Sequence, residues 1–205
     1  MRHLFEIDGR FYCMMTKAAD LLVLNLLWMI CSVPVFTAGA AVTALHDVTI
    51  QMAENREGYV AKEYLRSFQK NFRKGTVLWL LFLSVLSILL AVRTGMTVES
   101  EPVFIMCFFI GILCACIYTW VFPLLSQKDH TTVQLLRKSL FIGIYYFPYT
   151  LILFGGNAVL AYITFAYPGI ILCWMFIGTA LTAYGTAFIY RYILIQKNNP
   201  FMQCR

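Results

Sequence analysis

The sequence is poor in charge. Aspartate, glutamate, lysine and arginine make up 13% of its 205 residues, against about 25% in ordinary soluble domains. The apolar share is 60%, and a single domain of this size has too little interior to hide that much apolar surface. A typical globular enzyme is thereby excluded, and so is a disordered chain, which has the opposite composition. Signatures of chemistry are missing as well. There is no Gly-x-x-x-x-Gly-Lys-Ser/Thr phosphate loop, no His-Glu-x-x-His and no Gly-x-Ser-x-Gly, so ATPase, zinc-protease and serine-hydrolase readings have no support. The seven cysteines (Cys13, Cys31, Cys107, Cys114, Cys116, Cys173 and Cys204) contain no Cys-x-x-Cys and no zinc spacing. Most sit in apolar runs, where a thiol behaves as a small apolar group. No catalytic, metal or cofactor site is expected, and the chain is read as a non-enzyme.

What the sequence does contain is long runs without charge. Crossing about 30 Å of hydrocarbon takes roughly 20 apolar residues in a helix. The run from Ser139 to Tyr190 suits two crossings, at about 141–166 and 170–191, broken at Tyr167-Pro168-Gly169 by a proline without a donor and a permissive glycine. Pro102 to Gln127 holds one span at about 103–125, and Gly75 to Val92 another at about 76–92. The first apolar region is interrupted by Pro34 and Gly39. It reads either as one kinked span followed by an interfacial helix, or as a hairpin of two spans, 18–34 and 38–53, with Thr37 capping the second. Ala38-Gly39-Ala40 resembles a leader cleavage site. The segment before Leu21 is long and carries Glu6, Asp8 and Asp20, which speaks against a leader, so the region is read as structure.

Basic residues arbitrate between five and six crossings. With six, fifteen of the sixteen lysines and arginines face one side, Arg93 being the exception; with five, Arg2, Arg10 and Lys17 move across. The excess of basic residues in cytoplasmic loops favours six, with both termini cytoplasmic. The expectation is therefore an all-α integral membrane protein, a single polytopic helical bundle over 1–205 with five or six transmembrane helices, multi-pass in a bacterial cell (plasma) membrane. Spans without strand alternation exclude a barrel.

Between the first apolar region and the Gly75 span lies a basic segment, 57–74. Tyr64, Phe68 and Phe72 recur every four residues and make one apolar stripe, while Lys62, Arg66, Lys70 and Arg73 form a cationic strip. The pattern reads as a cytoplasmic amphipathic helix lying in the interface, aromatics in lipid and cations toward anionic headgroups. Membrane lipid or a partner chain is its expected contact; nucleic acid is not. Asn25, His46, Asp47 and Asn157 are the candidates for an intramembrane polar site, because polar groups at that depth need a partner or a function. His46 and Asp47 also fit a solvated position at the end of a shorter span. Pro34 and Gly39, and Gly178, Thr182 and Gly185 in the last span, are the candidates for close helix packing.

The blocks Ala19-Asp20-Leu21 to Asn25, Val33-Pro34-Val35-Phe36-Thr37-Ala38-Gly39, and Phe68-Gln69-Lys70-Asn71-Phe72 resemble the YesL family of bacterial integral membrane proteins. Members of that family have no assigned activity and are often encoded beside carbohydrate ABC-transport genes. The resemblance implies an accessory role in carbohydrate ABC-type uptake, with transporter subunits as partners. The chain lacks the Glu-Ala-Ala coupling loop of an ABC permease, so an accessory subunit is expected rather than the pore. The alternative is a stand-alone small-molecule or ion transporter that uses the intramembrane polar residues.

Overall fold

The computed structural model describes residues 10–54, 56, 58–95, 101–127, 132–153, 155–156 and 178–195. Among them every regular element is helical: α1 (Arg10–Ser32), a 3-10 turn (Val35–Thr37), α2 (Ala38–Ala53), α3 (Val60–Gly95), α4 (Glu101–Gln127), α5 (Thr132–Tyr145) and α6 (Thr179–Ile195). Among the described residues three helices are long and apolar enough to cross a membrane, α1 over Met15–Ser32, α3 over Val60–Val92 and α4 over Ile105–Ser126.

The break after α1 follows from its residues. Pro34 cannot continue the helix, and Val33 makes only a 3.4 Å bond back to the Ile30 carbonyl. The Thr37 hydroxyl lies 2.6 Å from the Cys31 carbonyl and 2.7 Å from the Pro34 carbonyl, so its one proton serves acceptors that the ending helix leaves open. Two residues later the chain approaches α3. A Cβ on Gly39 would meet the Gly75 carbonyl oxygen and lie 2.5 Å from the Trp79 Cβ; one on Gly75 would lie 2.9 Å from the Ala40 Cα. Only hydrogen fits at this crossing. The Trp79 indole N–H donates to the Val35 carbonyl at 2.8 Å and closes the corner.

Helix α2 is the centre of the fold. Eleven of its sixteen residues are buried, and it contributes to two apolar clusters. One joins Leu24 of α1 with Ala44, Leu45, Val48 and Met52 of α2, Val60 and Tyr64 of α3, and Ala180 and Ala183 of α6. The other gathers Ile50 and Ala53 around Trp120–Leu125 of α4, with Leu135 of α5 and Ala187 and Tyr190 of α6. Gly39 lies against Gly75 while Val48 and Met52 pack with Val60 and Tyr64, so α2 runs antiparallel to the first half of α3. Its buried threonines bond back within the helix, Thr43 to the Gly39 carbonyl at 2.8 Å and Thr49 to the Leu45 carbonyl at 2.9 Å, the usual solution for a hydroxyl away from water.

Two sequence expectations change here. The basic segment is not a separate interfacial helix; it is the first half of α3, continuous with the following span over 36 residues, about 54 Å at 1.5 Å per residue. Its aromatic stripe does not face lipid throughout. Tyr64 is 0% exposed and its hydroxyl donates to the Ala41 carbonyl at 3.3 Å, whereas Phe72 is 36% exposed. The reason is angular. The buried row is Val60, Tyr64, Ser67, Asn71, Gly75 and Leu78, a mixture of four- and three-residue steps; a strict four-residue step drifts about 40° per turn off it. Tyr64 thus starts in the core, and Phe68 and Phe72 climb out along one edge.

Helix α5 begins at Thr132, ahead of the expected span at 141, and is interrupted at Tyr146 before helix resumes over 147–153. Pro148 explains the break, since it has no N–H for the Ile144 carbonyl. The Thr150 hydroxyl lies 3.2 Å from both the Gly143 and the Tyr146 carbonyls and accepts the Trp120 indole N–H at 2.9 Å, tying the break to α4. Residues 157–177, including Asn157 and the Tyr167-Pro168-Gly169 turn, lie outside the described residues.

Candidate functional site

Asn25 and His46, two of the polar residues singled out in the first two helices, meet one edge of α6. Its buried row is Ala180, Ala183, Ala187 and Tyr190, and Thr179, Thr182 and Thr186 follow along one side of that row at helical spacing. Asn25 of α1 is fully buried, and its side-chain oxygen accepts a hydrogen bond from the Thr179 hydroxyl. His46 of α2 is half-buried, with Nδ1 3.3 Å from the Thr186 Oγ1. Thr182, between the two pairs, lies 3.1 Å from the Gly178 carbonyl and 2.9 Å from the Thr179 carbonyl. The two interhelical pairs are seven residues apart on α6, about 10 Å along its axis. Asp47 is half-buried beside His46. The structure thus brings Asn25 and His46 to one seam; Asp47 is the next residue on α2, and Asn157 lies outside the described residues.

This seam does structural work. A fully buried amide without a partner costs roughly 1–3 kcal/mol, and Thr179 supplies the partner. No group of three or more His, Cys, Asp or Glu side chains is placed to hold a metal among the described residues.

Of the packing candidates on α6, Gly185 meets no neighbour among the described residues. That residue is exposed, and a Cβ there would meet nothing within 4 Å among the described residues. The helix packs through its alanines because Gly185 lies about 200° around the helix from Ala183. Gly178 is buried and Thr182 half-buried, while Pro34 is exposed at the corner it creates. Trp120 and Thr150 were missed by sequence reasoning. The nearby sequence signal is Pro148, which interrupts the helix where the Thr150 hydroxyl meets the Gly143 and Tyr146 carbonyls.

A second surface is electrostatic. Lys62, Arg66, Lys70, Arg73 and Lys74 of α3 are all exposed; Lys62, Arg66 and Arg73 lie roughly opposite the buried row, and Lys70 and Lys74 on its flank. The helix that carries them starts cleanly: the Gly58 N–H donates to the Glu63 carboxylate at 3.1 Å, and the Glu63 N–H to the Tyr59 carbonyl at 3.0 Å, an acidic group at the positive end of the helix.

Residues 21–91 match the family described as Protein of unknown function, DUF624. The matched stretch runs from Leu21 in α1 to Ala91 in α3 and takes in Asn25, the Pro34–Gly39 corner, the Gly75 crossing and the cationic face. No curated protein and no solved structure matches the chain.

Proposed function

We propose that this chain is a non-catalytic, multi-pass protein of the bacterial plasma membrane, accessory to carbohydrate ABC-type uptake, and that it acts by contact. The observation that carries the reading is the division of its polar groups. Inside, Asn25 and His46 are joined to Thr179 and Thr186, and Trp120 to Thr150; outside, five exposed cations line α3. A protein that spends its buried polar groups on holding helices together and carries its charge outward is suited to binding rather than turnover. The resemblance of the Pro34–Gly39 and Phe68–Phe72 blocks to the YesL family supports the sugar-uptake part. On this reading the chain crosses six times with cytoplasmic termini.

Purification in mild detergent with identification of co-purifying chains tests it. Stoichiometric recovery of ABC-transporter subunits is expected, and recovery of the chain alone from cells growing on an imported sugar would overturn the accessory role. A second reading has one observation in its favour: Asn25 and His46 meet the same edge of α6. In that case the chain alone conducts a proton or a small solute, and reconstituted liposomes show a flux that His46→Gln abolishes.

A further inference from the structure

We propose that Thr186 fixes His46 as the tautomer with its proton on Nδ1, and that the bare Nε2 is thereby held ready to accept a hydrogen bond from an O–H or N–H group of a bound solute. The choice of tautomer stands on the hydrogen bonds of the seam. Its use rests on the reading in which the chain alone conducts a proton or a small solute.

Thr186 has one proton to give and two lone pairs to offer. Its hydroxyl oxygen lies 2.7 Å from the Ala183 carbonyl oxygen, which can only accept, and 3.3 Å from His46 Nδ1. The shorter contact has the length of an ordinary O–H···O bond, about 2.7–2.8 Å, so the proton goes to the carbonyl. Neighbouring hydroxyls spend theirs in the same way: Thr182 donates to the Thr179 carbonyl at 2.9 Å, and on α2 Thr43 and Thr49 donate to the Gly39 and Leu45 carbonyls. Thr186 therefore turns a lone pair to His46, and only an N–H at Nδ1 completes that contact. A neutral imidazole carries a single N–H, which leaves Nε2 bare. The bond at one ring nitrogen sets the state of the other. Free histidine in water favours the opposite arrangement, with the proton on Nε2, so the seam imposes this tautomer.

The position of the ring suits a binding group. His46 stands on α2 between Val42 and Ile50, one turn away on either side. Ile50 belongs to the apolar cluster that joins Trp120 and Phe122 of α4 with Ala187 and Tyr190 of α6, and Val42 packs against it. The imidazole thus sits where α2, α4 and α6 meet. It is half-buried, and among the described residues Nε2 has no hydrogen-bond partner. A bare imidazole nitrogen accepts and cannot donate. That fixes the chemistry of what it takes: a hydroxyl or an ammonium group has a proton to offer, whereas a carbonyl or a carboxylate has none.

The test uses the full chain in liposomes with isotope-labelled histidine. His3→Gln and His130→Gln leave His46 as the one histidine of the chain. In mildly alkaline buffer, where histidine is neutral, imidazole carbon and nitrogen chemical shifts from solid-state NMR distinguish the two tautomers. His46 is expected to read as Nδ1–H. Thr186→Val is expected to lose that signature in favour of Nε2–H, and Thr186→Ser, which keeps the oxygen, to retain it. Diethyl pyrocarbonate attacks an imidazole nitrogen that carries a lone pair, and mass spectrometry is expected to find His46 carbethoxylated. A wild-type Nε2–H signature, an Nδ1–H signature that survives in Thr186→Val, or a His46 that resists the reagent overturns the proposal. Flux is read separately in the same liposomes. Its absence with the expected signatures intact sinks the conduction reading and leaves the tautomer assignment standing, so the two failures are told apart.

Discussion

Replacing Gly39 by alanine probes the tightest contact in the fold. The new Cβ would lie 2.5 Å from the Trp79 Cβ and against the Gly75 carbonyl oxygen. Neither obstacle is the end of a flexible side chain, so relief requires α2 and α3 to part. Reaching an ordinary 3.4 Å contact means separating them by nearly an ångström, and a gap of about 0.5–1 Å forfeits a quarter to a half of the dispersion energy of the atoms along it. Overpacking of this kind costs about 1–3 kcal/mol, and the upper end applies because backbone is involved. Alanine recovers about 1 kcal/mol in helix propensity over glycine, leaving a net loss of about 2 kcal/mol. For a chain of this size that corresponds to a midpoint roughly 4–8 °C lower. The assay is thermal unfolding in detergent followed by loss of the monodisperse peak, with Gly185→Ala as the internal reference. Gly185 faces open space among the described residues, so its alanine variant is expected to match or exceed wild type. A Gly39→Ala protein as stable as Gly185→Ala would refute the close crossing and, with it, the placement of α2 against α3.

Thr150→Val is expected to cost about 1–3 kcal/mol, because the Trp120 indole N–H loses its acceptor in a buried site; a Trp120→Phe, Thr150→Val double variant should recover part of it, measured in the same assay. Asn25→Leu is expected to lower stability by roughly 1 kcal/mol, the scale of an interhelical hydrogen bond within a membrane, and Thr179→Val should add little on top. Additive losses would show that the two side chains do not pair. A reporter fused ahead of Arg2 is expected to be active on the cytoplasmic side only, and activity solely outside the cell would leave five crossings.

Composition alone determined the class of this protein, because nothing but a lipid solvent accommodates a chain so apolar and so short of charge. The corner at Pro34 was also legible, since proline ends a helix whatever surrounds it. The medium on each side of a helix was not. Tyr64 reads the same whether its stripe meets lipid or α2, as both are apolar and periodicity cannot distinguish them; only packing against Ala41 and Val48 decided that it belongs to the core. Helix α6 carries small residues on several sides, so the choice of its alanine row over Gly185 came from which neighbours arrived there. The pairing of Asn25 with Thr179 spans 154 residues, and no local pattern encodes such a match. It forms because each buried polar group must find a partner at whatever point the assembled helices bring one within reach.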